Sequence, residues 1–405
     1  MRSPWLVGAI VYLAALAWGA LCFQEDSMAA AARPVTATTF PDVANLPAIK
    51  GLPDPLVMSN GTRVTTPAQW RKRREELKAL FEHYVYGRMP PAPGNVEDEE
   101  LSAAPILEGG ATHRIVHLRF GPEKKLSIRL SLIVPKGASA KDRKPVVLYL
   151  YRGDTLPPDG LWPDYDLIVQ RGYVAACMAN ADCDPDNADR TNGYHPYYPD
   201  YDWATLACWA WGMQRCVDWL VAQDYVAADK IAVSGHSRRG KAALLAAAFD
   251  ERIALAAPSG SGCGGVALSR AAEQTPGAET VREITKRFPY WFSPRFAEFS
   301  GCVDRLPVDQ HLLIALVAPR AVINNDGLAD QWANPSGEQA AMLAALPVYR
   351  LLGAGGLGDK VGLRFRQGGH DITREDWSAI LDFCDKVLLG KKVERRFDVP
   401  ALPAR

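Results

Sequence analysis

Between Ile231 and Lys241 the chain reads Ile-Ala-Val-Ser-Gly-His-Ser-Arg-Arg-Gly-Lys, and an alanine- and leucine-rich run follows at once, up to Phe249. An apolar strand therefore enters a Gly-x-Ser turn and leaves it directly as a helix. Such a turn lifts its serine, Ser237, above the edge of a sheet, where a base can reach it. Gly235 and Gly240 leave room for the tight turn and for close helix–sheet packing. The start of the helix aims backbone N–H groups at the point where an oxyanion would form. The spacing departs from the usual Gly-x-Ser-x-Gly, because Gly240 lies three residues after Ser237.

The flanking sequence supplies the sheet that this turn needs. Alternating segments at Ile115–Phe120 and Leu126–Leu132 predict a hairpin at a sheet edge. Short apolar runs then alternate with helical stretches: strands at Val146–Tyr151, Tyr173–Met178, Lys230–Ser234, Ile253–Ala257, Ala321–Asn324 and Leu363–Arg366, and helices at Trp203–Ala222, Arg238–Phe249, Glu338–Leu346 and Arg374–Leu389. That alternation predicts a mostly parallel sheet sandwiched by helices, an α/β-hydrolase arrangement. Ahead of it, helical spacing of Trp70, Leu77, Leu80, Phe81 and Tyr84 predicts a helix over 68–86, stopped by Gly87 and Pro90-Pro91. Residues 33–405 read as one catalytic domain with an N-terminal extension and cleft-forming insertions, chiefly the loop-rich stretch 260–307.

A serine needs a base, and in this architecture the chain order is serine, acid, histidine. His370 follows the last strand and precedes the final helix, where the base is expected. His311 lies in an apolar helix, His195 precedes the serine, and His236 is expected on the opposite side of the turn. The acid should follow the penultimate strand, where the sequence runs Asn325-Asp326-Gly327-Leu328-Ala329-Asp330. Asp330 is the first choice and Asp326 the runner-up. The sequence leaves the pair open.

Composition narrows the partners. Lys+Arg and Asp+Glu both number 46, so no basic surplus is present to neutralise nucleic-acid phosphates or an anionic membrane. Arg2, the uncharged run Trp5–Leu21, a polar break at Gln24-Glu25-Asp26 and the tract Ala29–Ala32 predict a signal peptide over 1–32, with an uncleaved anchor as the alternative. Export follows either way. No Cys-x-x-Cys or Cys/His cluster has ligand spacing, so no metal or cofactor is expected. Cys177, Cys208, Cys216 and Cys384 sit in apolar runs, which leaves Cys263 and Cys302 as the pair to consider for a disulfide. The acidic loop Asp182–Asp189 resembles a calcium loop but lacks its sixth-position glycine and twelfth-position glutamate, and reads as a solvated or cleft-rim loop.

With the turn in hand, the chain resembles the glucuronoyl esterases of carbohydrate esterase family 15. Gly235-His236-Ser237-Arg238-Arg239-Gly240-Lys241 is similar to that family's G-x-S-R-x-G-K signature. Ser259-Gly260-Ser261-Gly262-Cys263-Gly264-Gly265 with Arg270 is similar to its glycine-rich loop, Tyr290-Trp291-Phe292-Ser293 to its W-F motif, and Ala318-Pro319-Arg320 to its A-P-R entry to a strand. The resemblance implies an exported serine esterase, periplasmic or secreted, acting on glucuronoxylan or small uronate esters, without a cofactor and as a monomer. It implies Ser237 as nucleophile, His370 as base and Arg238 in the oxyanion hole. It also implies Lys241 facing the cleft to bind sugar hydroxyls, Trp332 under the sugar, and Glu279 beside it. One departure stands out. Fungal members carry an acid just before the serine–glycine loop, where this chain has Pro258-Ser259-Gly260 and no carboxylate; their cysteine beside the nucleophile is His236 here.

Overall fold

The computed structural model describes residues 40–402, so the expected leader at 1–32 lies outside the described residues. The first helix, α1 (Pro67–Phe81), starts on a capping box in which the Thr66 side chain accepts from Gln69 N–H and the Gln69 side chain returns the contact. Pro67 at the first helical position suits a site where no N–H bond is lost. The helix buries Trp70, Leu77 and Phe81, continues through Glu82–Tyr86 as a wider turn, and stops at Gly87 with φ 77°. A Cβ at Gly87 would lie 2.2 Å from the Asp202 carbonyl, so glycine is required there.

The remaining chain threads one nine-stranded sheet. Its strands are β1 (Glu97–Ile106), β2 (Ala111–Phe120), β3 (Leu126–Pro135), β4 (Lys144–Leu150), β5 (Val174–Met178), β6 (Val226–His236), β7 (Ile253–Ser259), β8 (Ala321–Gly327) and β9 (Val361–Arg366), in the spatial order β1-β2-β3-β5-β4-β6-β7-β8-β9. β1, β2 and β3 form an antiparallel meander, β3 pairs antiparallel with β5, and every later pairing is parallel. The expected hairpin is present as β2–β3, but β1 lies outside it and forms the true edge.

The other helices are α2 (Tyr165–Gln170), α3 (Thr205–Leu220), α4 (Arg238–Phe249), α5 (Ser269–Ala272), α6 (Val281–Arg287), α7 (Pro294–Ala297), α8 (Gln310–Ala315), α9 (Pro335–Leu351) and α10 (Arg374–Leu389). The central strands are buried on both faces, which matches their unbroken apolar runs. Val147, Tyr149, Leu255 and Ile323 pack with Trp377, Ile380 and Phe383 of α10 and Ile168 of α2. The pleat turns Val146, Leu148 and Leu150 the other way, to the side where α3 and α4 pack on each other and on the sheet. This is the α/β-hydrolase architecture expected from the sequence. The stretch 260–307 between β7 and β8, expected as loop, carries the short helices α5 to α7.

The cysteine expectation needs correcting. All seven described cysteines are free thiols. Cys263 is enclosed in the glycine-rich loop, 3.7 Å from Ser269 Oγ, whereas the Cys302 thiol donates to the Glu298 carbonyl one turn back. The two sulfurs serve different local packings and form no bridge. Among the described residues no helix is long and apolar enough to cross a membrane.

Candidate active site

β6 ends at His236 and α4 begins at Arg238, leaving Ser237 alone at the junction with φ 59° and ψ −128°. That backbone is costly for a residue with a Cβ and is held by its surroundings. Ser237 N–H donates to the Ser259 carbonyl at 2.8 Å, and the Ser237 carbonyl accepts from Gly240 and Lys241. A Cβ on Gly235 would sit 2.3 Å from the Arg239 carbonyl oxygen, and one on Gly240 would sit 2.9 Å from the Gly235 carbonyl oxygen. The two glycines allow the helix to start directly against the strand end.

His370 stands in the loop between β9 and α10, and its Nδ1 lies 2.5 Å from Asp330 Oδ2 in the turn after β8. Its side chain is 39% exposed while that of Asp330 is 2% exposed, so one partner faces solvent and the other is enclosed. Asp330 Oδ1 accepts from Ala333 N–H at 3.2 Å. Burial alone would raise the Asp330 carboxyl. The hydrogen bond and charge of His370, with the Ala333 and Asp326 hydrogen bonds, outweigh it and hold the group below the usual aspartate value. Of the two candidate acids, Asp330 is the one paired with the imidazole. Asp326, at the end of β8, is 1% exposed and accepts from Gly327 N–H at 2.7 Å.

His236 does not point away from the site, contrary to expectation. Its ring lies 4.5 Å from that of His370, tilted by 43°. The reason is the turn itself: β6 delivers residue 236 beside β7, whose continuation at Gly260 comes within contact of His236, Asp326 and Asp330 together. Burial, and secondarily the neighbouring His370, push His236 down to about 4, so it is neutral at physiological pH.

Arg238 is clamped. Its Nη1 lies 2.5 Å from Asp186 Oδ2, and its guanidinium stands over the rings of Trp291 (4.5 Å) and Phe288 (5.0 Å). Asp186 Oδ1 in turn accepts from Trp291 Nε1 at 2.7 Å and Tyr290 OH at 3.2 Å. The acidic loop is therefore not simply solvated. Asp186 turns inward to Arg238, and Asp184 is buried against His195 at 3.1 Å. A cation 52 residues further on draws Asp186 inward, whereas Asp184 is held by an imidazole only 11 residues away.

Lys241 departs from the expected open cleft position. It is 2% exposed, and its Nζ donates to Ser261 O (2.7 Å), Cys263 O (2.6 Å) and Glu279 Oε2 (2.6 Å). One helical turn past Ser237, it lies beneath the glycine-rich loop, where three acceptors saturate the ammonium. Glu279 Oε1 accepts from Trp332 Nε1 at 3.0 Å, and Trp332 is half-buried with Arg287 above its ring. Lys241, Glu279 and Trp332 thus form one hydrogen-bonded group. Asp186 and Glu338 were missed by sequence reasoning; no motif marks either, since their partners come from distant loops. Among the described residues no group of three or more His, Cys, Asp or Glu side chains is placed to hold a metal ion.

A strained serine between a parallel strand and a helix, in a chain whose histidine–aspartate pair forms after β9 and β8 with the histidine ring near that of His236, is the constellation of an α/β-hydrolase of the carboxylic ester hydrolase class. Residues 122–353 match the family model of the glucuronyl esterases of fungi. The chain is 36% identical over 394 residues to a carbohydrate esterase from an unknown prokaryotic organism, covering 84% of this chain and 90% of that one. It is 30% identical over 330 residues to the 4-O-methyl-glucuronoyl methylesterase of Cerrena unicolor, covering 79% and 65%. A solved structure of a promiscuous CE15 esterase from a marine bacterial metagenome superposes with a TM-score of 0.75 at 34% identity, covering 85% of this chain and 98% of that one. The chain belongs to the glucuronoyl esterases of carbohydrate esterase family 15.

Proposed function

We propose that this chain hydrolyses esters of (4-O-methyl-)glucuronic acid, such as those joining glucuronoxylan to lignin alcohols, through an acyl-enzyme on Ser237. The observation that carries the reading is the strained elbow serine itself, with the ring of His370, paired to Asp330, lying 4.5 Å from that of His236, the residue before the serine. With Nδ1 engaged by Asp330, His370 presents Nε2 to take the Ser237 proton as Oγ attacks the ester carbonyl. The proton then passes to the departing alcohol, and water attacks the acyl-serine with His370 again as base.

Two donors suit the oxyanion. Arg238 N–H heads α4 and has no intrahelical acceptor. Arg238 Nε is buried without a protein partner, on a guanidinium that is always charged. The reacting carboxyl is neutral as an ester, so local charge suffices and no basic surface is required. Glu279 and Trp332 offer a carboxylate and an aromatic face to a sugar ring, a pairing that suits hydroxyls and C–H edges.

The domain is proposed to span residues 33–405 and to be exported, on the strength of the leader-like sequence at 1–32. Ser237→Ala should abolish release of methanol from methyl glucuronate; retained turnover would sink the reading. A second reading, hydrolysis of acetyl or other carbohydrate esters, is favoured by the promiscuous relative at 34% identity. Comparing kcat/KM on methyl glucuronate and acetylated xylan separates the two.

A further inference from the structure

Three carboxyl groups meet behind the imidazole, and ester hydrolysis accounts for only one of them. Asp330, Asp326 and Glu338 are 3%, 1% and 0% exposed. Asp330 accepts from His370 and Ala333 on its two oxygens. Glu338, in the first turn of α9, accepts from Ser261 N–H (3.0 Å), Gly262 N–H (3.1 Å) and Asn324 Nδ2 (2.8 Å). Every oxygen of these two groups thus already receives a hydrogen, while lone pairs remain free on Asp330 and on Glu338 Oε2. Asp326 is different: Oδ1 accepts from Gly327 N–H, but Oδ2 is buried with no donor aimed at it. Asp326 nevertheless lies close to both Asp330 and Glu338: a Cβ on Gly260 would meet Asp326 Oδ1 at 3.0 Å and Asp330 Oδ2 at 3.3 Å, and Glu338 is held by Asn324, two residues before Asp326 on the same face of β8.

Three buried carboxylates cannot all be charged at such separations, and the proton belongs on the oxygen that receives no other hydrogen. The groups facing Asp326 are Asp330 from the turn after β8 and Glu338 from α9. His370 stands behind Asp330, and His236 at the end of β6 lies across Gly260. We propose that Asp326 is a neutral carboxylic acid whose O–H bridges Asp330 and Glu338, and that it is a positioning residue for the histidine–aspartate pair. Resting on the reading of that pair as the base and its orienting acid, this assigns opposite charge states to two aspartates four residues apart. Burial, with the negative neighbours, pushes Asp326 up to about 11 and burial pushes Glu338 only to about 7, while His370 holds Asp330 below the usual aspartate value. Through Glu338 the bridge also reaches Ser261 and Gly262, whose loop supplies the carbonyls that hold Lys241.

The test is the titration of His370, read by ¹⁵N NMR on the free enzyme and by the acidic limb of kcat/KM. Asp326→Asn keeps a neutral donor and should leave both midpoints within about 0.3 units, with kcat within about threefold. Asp326→Leu removes the donor, leaves Asp330 more basic, and should raise the His370 midpoint by roughly half a unit or more while lowering kcat about tenfold. A drop of about one unit in Asp326→Asn would show that a negative charge had been removed, and would overturn the proposal. So would an Asp326→Leu enzyme that titrates and turns over like the parent. Infrared spectra at about pH 9 give a further check independent of folding in the leucine variant: a protonated-carboxyl band in the parent, absent in Asp326→Asn, is expected. No such band in the parent refutes the idea. Because the NMR and infrared readings need no substrate, failure to hydrolyse methyl glucuronate would count against the substrate reading alone.

Discussion

The Lys241–Glu279 pair offers a stability experiment whose size and pH dependence both follow from the structure. Lys241→Met removes one partner of an ion pair in which the residues are 2% and 4% exposed, and leaves Glu279 enclosed with only the Trp332 indole as a side-chain donor. Breaking a buried pair in this way costs about 3–5 kcal/mol, because the remaining charge is uncompensated. Lys241→Met/Glu279→Gln removes that charge and keeps an acceptor for Trp332, so about 2–3 kcal/mol should return. Two carbonyls, Ser261 O and Cys263 O, still lose their ammonium donor, so recovery is incomplete.

The pH sign is also fixed. Burial raises the Glu279 carboxyl even with Lys241 present. Without the lysine, the folded single variant holds a proton that the unfolded chain releases. Its stability therefore falls as pH climbs above the unfolded glutamate value of about 4.3, by at most about 1.4 kcal/mol per unit. Urea unfolding at about pH 5 and pH 8 measures this, with the parent as control. A single variant costing less than about 1 kcal/mol at both pH values refutes the reasoning, as does a double variant no more stable than the single.

Three further outcomes are expected. Asp330→Asn preserves the shape beside His370 but loses the charge, and kcat should fall by roughly 10³–10⁴ with KM little changed; steady-state kinetics on methyl glucuronate decide this. Asp186→Ala frees the Arg238 guanidinium from its clamp, and kcat should drop about tenfold or more, a part of what a lost oxyanion donor costs; an unchanged kcat would show that the clamp is irrelevant to turnover. Gly235→Ala forces a Cβ to within 2.3 Å of the Arg239 carbonyl, so thermal melts should show a loss of about 2 kcal/mol or more, with Ser237 misplaced and activity lost.

Much of this arrangement was legible because it is local. The strand, turn and helix around Ser237 are contiguous, and the chain order of serine, acid and histidine put His370 and Asp330 at the ends of consecutive strands. What escaped is non-local or patterned against type. β1 reads Glu-Asp-Glu-Glu-Leu-Ser-Ala-Ala-Pro-Ile, with no apolar alternation, because nearly all of it is exposed. The inward turn of Asp186 depends on Arg238, Tyr290 and Trp291, which lie 52 to 105 residues away. Lys241 was expected to face the cleft, but its depth is set by a loop and a glutamate that no helical period encodes. The same holds for His236, whose contact with His370 needs β6 and β9 to have folded into one sheet.

A nine-stranded sheet has two rims, and both must be kept from recruiting strangers. At β9 the chain does this itself: Leu363 N–H donates to Phe397 O, and the Phe397 ring is buried against Phe383. At β1 no strand among the described residues pairs with the outer side of the rim, which is armed with Glu97, Asp98, Glu99 and Glu100 in succession. Lys124, Arg119 and Arg114 on the neighbouring strand and turn tether three of these acids inward. A second strand docking on this rim would have to desolvate four adjacent carboxylates. The desolvation cost of that charged row makes this rim a poor template for a further strand.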